Sequence, residues 1–153
     1  MISQRNPPNP YHAAHIEWEE PPLPARLVLR EDHPRSALQT NTSPDIPFRW
    51  SLNPYRGCTH ACAYCYARRY HEHLDHGAGA DFERILYVKH TLPDLLRAEL
   101  QRRTWRGEPI ALSGVTDPYQ PIERRFGLTR ACLELLADHR NPVALTTRSP
   151  PLL

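Results

Sequence analysis

Residues 48–65 read FRWSLNPYRGCTHACAYC. The first six residues predict a short strand, and PYRG, a Pro/Gly turn, ends it. Three cysteines then fall within eight residues: Cys58, Cys62 and Cys65. A disulfide uses two thiols, and a structural zinc site usually takes four ligands. A cubane [4Fe–4S] cluster is held by cysteine thiolates. Three thiolates leave one of its irons without a protein ligand, an open position of the kind catalytic metal sites keep. Zinc is the competing reading, as a Cys3His site completed by His60 or a distant histidine. Such sites usually bring their ligands in two separated pairs, and the sequence has no second pair. Cys132 is a candidate fourth ligand. It lies on the apolar face of a predicted helix, where the usual outcome is a buried, inert cysteine.

The chain has 153 residues, enough for one domain, and 40% of them are hydrophobic, ordinary for a globular protein. A formal net charge of +2 is too small to argue for nucleic acid or a membrane surface. Lys89 is the one lysine among nineteen basic residues, a bias we read as codon composition. MISQRNPPNPYHAAH at the start has no apolar core of a secretory signal, and no run approaches the roughly 20 apolar residues of a membrane span. The expected compartment is the cytoplasm. Cysteines in that reducing setting read as metal ligands, catalytic groups or core residues.

Nine of the seventeen prolines lie in residues 1–47. We read this stretch as a Pro-rich extended arm lying on the domain, anchored by Trp18, Leu27, Leu29 and Phe48, with RLVLRE (26–31) as its one strand. Residues 48–153 form the core. After the cysteine loop, AYCYARRYHEHL predicts a short helix, GAGAD a break and RILYVK an extended segment. TLPDLLRAELQRR predicts a helix with Thr91 as N-cap, Asp94 in a capping-box position and Leu92, Leu95, Leu96 and Leu100 on one face. GLTRACLELLADH repeats the pattern with Leu128, Cys132, Leu135 and Leu136. PIALSGV and NPVALTT are apolar runs of strand length. Three strands, near 48–53, 109–115 and 143–147, thus alternate with helices. That order predicts an α/β fold of parallel strands with crossover helices. Ligands in such sheets bind beyond the carboxyl ends of the strands. The cysteine loop and SGVTDPYQPIE each follow a strand and are expected at the same edge.

CTHACAYC matches the CxxxCxxC pattern of the radical S-adenosylmethionine enzymes, with aromatic Tyr64 before the last cysteine. SLNPYRGCTHACAYCYAR and LSGVTDPYQPIERR…LTR resemble the spore photoproduct lyase-like branch, often described as DNA repair photolyase-like, over roughly residues 36–149. The resemblance implies the N-terminal part of a partial (βα) barrel of about six βα units. It implies that Cys58, Cys62 and Cys65 each ligate one iron of a [4Fe–4S] cluster, and that S-adenosylmethionine chelates the fourth. Reduction by a donor such as flavodoxin or ferredoxin would cleave the cofactor to methionine and a 5′-deoxyadenosyl radical, which takes hydrogen from a substrate. The sequence does not name that substrate; the resemblance suggests DNA, and the hydrogen-donor residues of that branch do not map onto this chain. The loop after the second core strand would hold the methionine end. Ser113, Thr116 and Asp117 offer acceptors to its amino group, and Gly114 allows close backbone approach. A polar turn begun by Asp117-Pro118 is the alternative there. Tyr64 would pack near the adenine, with an aromatic core position as the alternative.

Two departures stand out. Arg148 lies where relatives commonly place lysine, and RSPPLL follows the third strand directly. We therefore expect an incomplete catalytic core, apparently truncated at its C-terminal side. The alternative function is a non-catalytic iron–sulfur or zinc-binding fragment. Glu123 is expected in a solvated ion pair with a nearby arginine. His71, His73, His76 and His90 are expected at the surface. Arg102, Arg103, Arg106, Arg124 and Arg125, with Trp105, read as a solvated face, and nucleic-acid contact is the alternative.

Overall fold

The computed structural model describes residues 10–11 and 26–149. It is a mixed α/β structure with parallel strands in both of its sheets. The larger sheet is built on β3 (Trp50–Leu52), β6 (Ile110–Leu112) and β7 (Val143–Leu145), parallel neighbours in that order. Register runs Leu52 to Leu112 to Leu145. The three predicted core strands are therefore present, each shortened to three residues. β2 (Leu38–Thr40) adds antiparallel to β3 at the other edge. The smaller sheet pairs β1 (Val28–Glu31) parallel to β5 (Ile85–Val88), with the two-residue β4 (Tyr55–Arg56) antiparallel on its far side.

Helices α2 (Leu92–Leu100) and α4 (Leu128–Asp138) cover the larger sheet. Leu92, Leu96 and Leu100 of α2 meet Cys132, Leu135 and Leu136 of α4 over Leu52, Ile110 and Leu112. These are the positions that helical periodicity selects, because residues three and four apart share a face. Cys132 is fully buried, and burial pushes its thiol up to about 12. It belongs to the core.

The expected capping box at α2 is not formed. Thr91 occupies the N-cap place with helical dihedrals (φ −83°, ψ −2°) and makes no side-chain cap bond. A capping hydroxyl needs the extended conformation to reach back to the first free N–H groups. Asp94 instead faces Arg97 at 3.4 Å. At α4 the cap comes from elsewhere. Glu123 opens the short α3 (Glu123–Phe126), and Gly127, at φ +62°, turns the chain into α4. The Glu123 carboxylate accepts the N–H groups of Thr129 (3.0 Å) and Arg130 (3.1 Å), and also the Tyr55 hydroxyl. It is buried, not in the expected solvated ion pair. A carboxylate at a helix N-terminus meets both unpaired donors and the positive end of the helix dipole.

The proline-rich segment contributes more strand than the sequence suggests. RLVLRE supplies β1 as expected, and SALQT supplies β2, which was not anticipated. Trp18 and most of the prolines that motivate an arm lie outside the described residues. Of the remaining anchors, Leu29 packs against the second core cluster and Leu27 is exposed. β2 is locked to α2 by Glu99. One carboxylate oxygen accepts Ala37 N–H (2.9 Å) and Ser36 Oγ–H (2.8 Å), and the other accepts Leu38 N–H (3.0 Å). Glu99 is buried, although AELQRR reads as a solvated helix face. Glu99→Ala would strand two buried backbone donors at a cost of about 2–4 kcal/mol. Urea denaturation should show that loss, and hydrogen exchange should show residues 36–40 losing protection first.

Candidate functional site

The cysteine loop leaves β4 through Gly57, and Gly57 fixes its path. Its φ is +75°, and a Cβ there would sit 2.7 Å from the Ile85 carbonyl oxygen and 2.8 Å from Leu86 Cδ2. The backbone thus presses directly onto the start of β5, which only glycine permits. Cys58 N–H then donates to the Phe82 carbonyl at 2.9 Å. Cys58 is buried, and Cys62 and Cys65 are partly exposed. Burial pushes the Cys58 thiol up, while the backbone N–H groups of Asp117 and His60 favour its thiolate. All four cysteines are free thiols.

Arg68 secures the far side of the loop. Its guanidinium donates to the carbonyls of Cys62 (2.9 Å), Ala78 (3.2 Å) and Gly79 (3.0 Å) and pairs with Glu83 at 2.6 Å, all but out of solvent. The 3-10 helix Tyr66–Leu74 continues from the loop, where a short helix was expected. His71 is buried within it, its Nε2 on the Ile85 carbonyl, and His76 Nε2 meets the Tyr87 hydroxyl at 2.8 Å. Burial lowers the pKa of both imidazoles. They are structural groups rather than the surface residues the sequence suggested. Trp105 likewise leaves the solvated face: it packs edge-on to Trp50 and bonds Asn141 at 2.8 Å.

The loop after β6 meets the cysteine loop at the carboxyl end of the larger sheet. Ser113 (φ +106°) and Gly114 (φ +114°) turn the chain, and the Tyr66 hydroxyl donates to the Gly114 carbonyl. Ser113 Oγ donates to the Thr116 carbonyl (3.0 Å). Thr116 is buried, its hydroxyl on the Tyr55 carbonyl (3.3 Å). The Asp117 side chain is only 8% exposed, and its carboxylate is already well supplied with donors. Oδ1 accepts Tyr119 N–H (2.8 Å) and Thr147 Oγ–H (2.7 Å), and Oδ2 accepts Arg148 N–H (2.6 Å). Asp117 therefore ties the loop after β7 to the loop after β6, a role that spacing alone could not show. His60 Nε2 completes the join, 3.0 Å from Ser149 Oγ and 3.6 Å from Asp117 Oδ2.

Arg148 reaches back over the cysteines. Its Nη1 lies 2.8 Å from Cys62 Sγ, and its guanidinium stands 5.6 Å above the Tyr64 ring. Tyr64 is 78% exposed, which removes the aromatic-core alternative. The structure thus gathers Cys58, Cys62, Cys65, Tyr64, Ser113, Gly114, Thr116 and Asp117 into one region. Among the described residues, no three His, Cys, Asp or Glu side chains form a group that could hold a metal ion. A one-ion zinc site needs its thiolates within about 2.3 Å of a single point. In a cluster each thiolate serves its own iron, so convergence on one point is not required. The donor set suits such an anion: of the three free thiols, Cys62 faces the Arg148 guanidinium and Cys58 the backbone N–H groups of Asp117 and His60.

No family model and no solved structure matches the chain. An uncharacterized protein of Mycobacterium tuberculosis is 45% identical over 103 residues, covering 67% of this chain and 30% of that protein. A Mycobacterium bovis protein, also uncharacterized, matches to the same extent. An uncharacterized protein of Methanocaldococcus jannaschii is 35% identical over 105 residues, 69% of this chain and 37% of its own length. The chain spans about a third of the length of these curated relatives. No helix among the described residues is long and apolar enough to cross a membrane.

Lys89, just past β5, is a second buried cation beside this region. Its Nζ donates to the Asn53 carbonyl at 2.8 Å, and Asn53 Oδ1 in turn accepts Val115 N–H at 3.4 Å. Burial, reinforced by Arg56 and opposed by Asp32, lowers its pKa from 10.5 to about 8. Between these values the unfolded chain binds the extra proton, so this group's contribution to stability rises with pH across that window. Below it, the fold carries a buried ammonium at a cost. Lys89→Met should therefore raise stability at pH 7 by about 1–3 kcal/mol, net of the lost hydrogen bond. The gap between variant and wild type should close by about pH 10, as thermal melts across pH can show. Gly57→Ala should cost about 3 kcal/mol or more, since it adds both positive-φ strain and a backbone clash. Denaturant titration checks it.

Proposed function

We propose that this chain carries the cluster-binding part of a radical S-adenosylmethionine protein of the spore photoproduct lyase-like branch, built on the first strands of a partial (βα) barrel. The observation that carries the reading is the loop that follows β3 and β4. It bears three free thiols in CxxxCxxC spacing, braced by Arg68 and faced by donors. A second loop lies against it at the carboxyl end of parallel strands, where α/β sheets bind ligands. Cys58, Cys62 and Cys65 would hold a [4Fe–4S] cluster. When bound, that cluster supplies the single electron that reductively cleaves S-adenosylmethionine.

The protein's own residues position and shield. Gly57 and Arg68 set the path of the thiol loop. The Ser113–Asp117 loop offers backbone groups to the methionine end, and exposed Tyr64 offers a face to the adenine. Asp117 keeps the loop after β7 in register with both. A cytoplasmic setting with a flavodoxin- or ferredoxin-like electron donor belongs to this reading, and DNA is the substrate class the branch suggests. A second reading, cluster binding without turnover, is favoured by the loop after β6, whose Ser113, Thr116 and Asp117 side chains are already engaged by protein partners.

Anaerobic reconstitution should give a brown protein with iron and sulfide in near-equal amounts. Cys58→Ala, Cys62→Ala and Cys65→Ala should each bleach it, and Cys132→Ala should not. Colourless protein with stoichiometric zinc would end the cluster reading. Formation of 5′-deoxyadenosine under reductant separates the two readings.

A further inference from the structure

The turn at 117–120 grips Cys58 from two directions. Gln120 is fully buried. Its side-chain carbonyl accepts Thr59 N–H at 3.2 Å, and its amide donates to the Gly57 carbonyl at 3.2 Å. Those two groups belong to the peptide bonds before and after Cys58. One side chain therefore holds both peptide planes that define the Cys58 backbone. From the same turn, the Asp117 backbone N–H faces Cys58 Sγ. The turn is itself braced, with Gln120 N–H on the Asp117 carbonyl (3.3 Å) and Glu123 N–H on the Gln120 carbonyl (2.9 Å). Cys62 and Cys65 have no comparable clamp among the described residues. Cys65 N–H and the carbonyls of Cys62 and Cys65 close short local turns, and the Cys62 carbonyl also accepts Arg68.

We propose that Gln120 is a positioning residue for the cysteine site. It holds Cys58 as the fixed corner on which Cys62 and Cys65 close when metal is bound. The inference rests on the reading of these cysteines as cluster ligands. The chemistry selects a primary amide of this length. A carboxylate keeps the acceptor for Thr59 but sets a second oxygen against the Gly57 carbonyl. A leucine loses both bonds and leaves two buried backbone groups unpaired. Because hydrogen bonds around a cluster's sulfurs tune its potential, a shift of Cys58 relative to Asp117 N–H has an electrochemical signature.

The test uses the full chain in two states. In reduced, metal-free protein, iodoacetamide labelling is mapped by peptide mass spectrometry, with Cys62 and Cys65 as internal references. Gln120→Leu should speed labelling of Cys58 about tenfold and leave Cys62 and Cys65 within about twofold, as expected for loss of two buried hydrogen bonds. Gln120→Glu should fall between leucine and wild type. After anaerobic reconstitution, iron and sulfide content should fall in the same order, and the Gln120→Glu cluster should have a shifted midpoint potential. Wild-type labelling and wild-type iron content in both variants would overturn the proposal. An equal rise at all three cysteines would also overturn it, since that marks general loosening. If the leucine variant does not fold, the near-isosteric glutamate variant carries the test. If wild-type protein takes up no cluster, the cluster reading fails by itself, and the Cys58 labelling ratio still decides the role of Gln120.

Discussion

The contact of the Gly57 backbone with the start of β5 is the constraint on which the site depends. β4 pairs with β5, and one residue later the chain must leave that sheet without leaving its surface. With no Cβ and a positive φ, Gly57 lets the main chain lie on Ile85 and Leu86 and hand Cys58 N–H to the Phe82 carbonyl. The cysteine loop is thereby seated at the join between the two sheets. Its neighbours on one side come from α1 (Ala80–Arg84) and β5, and on the other from the loop after β6. Any side chain at position 57 would lift the first cysteine away from both.

Short strands explain why polar side chains carry so much of the remaining architecture. Strands of two to four residues make few ladder bonds. The intervening loops hold buried backbone groups that still need partners. Arg68, Glu99, Gln120 and Glu123 each supply two or more such bonds, Arg68 and Glu123 to neighbouring loops and helix ends, Glu99 and Gln120 to segments distant in sequence. Each pays desolvation and recovers it only with every partner in place. Networks of this kind favour one arrangement of the loops over the many that apolar packing alone would tolerate.

This division also decides what was legible in the sequence. The apolar periodicity of α2 and α4 and the runs of β6 and β7 are local patterns, and they predicted the parallel order that the structure has. The three cysteines and the loop after β6 were legible because their residue types are rare and closely spaced. The polar ties were not. Glu99 looks like an exposed helical glutamate until Ala37 and Leu38, more than 60 residues earlier, come to rest on it. Gln120 reads as a turn residue because its partners lie across the fold. Thr91 shows the converse: a local pattern for a cap was present, but helical dihedrals at that residue turned the hydroxyl away. Arg148 over Cys62 and Tyr64 depends on β7 lying beside β6, so it emerges only from the assembled sheet.

The burial of Lys89 has a practical side. It is the sole lysine of the sequence, and its amine is directed at a carbonyl inside the fold. Across the described residues the native surface therefore presents no primary amine to acylating reagents. Amine-directed immobilisation or crosslinking would leave that surface untouched. A reagent that does acylate position 89 records the opening of the region around Asn53, so a single residue serves as a chemical clock for local unfolding beside the site.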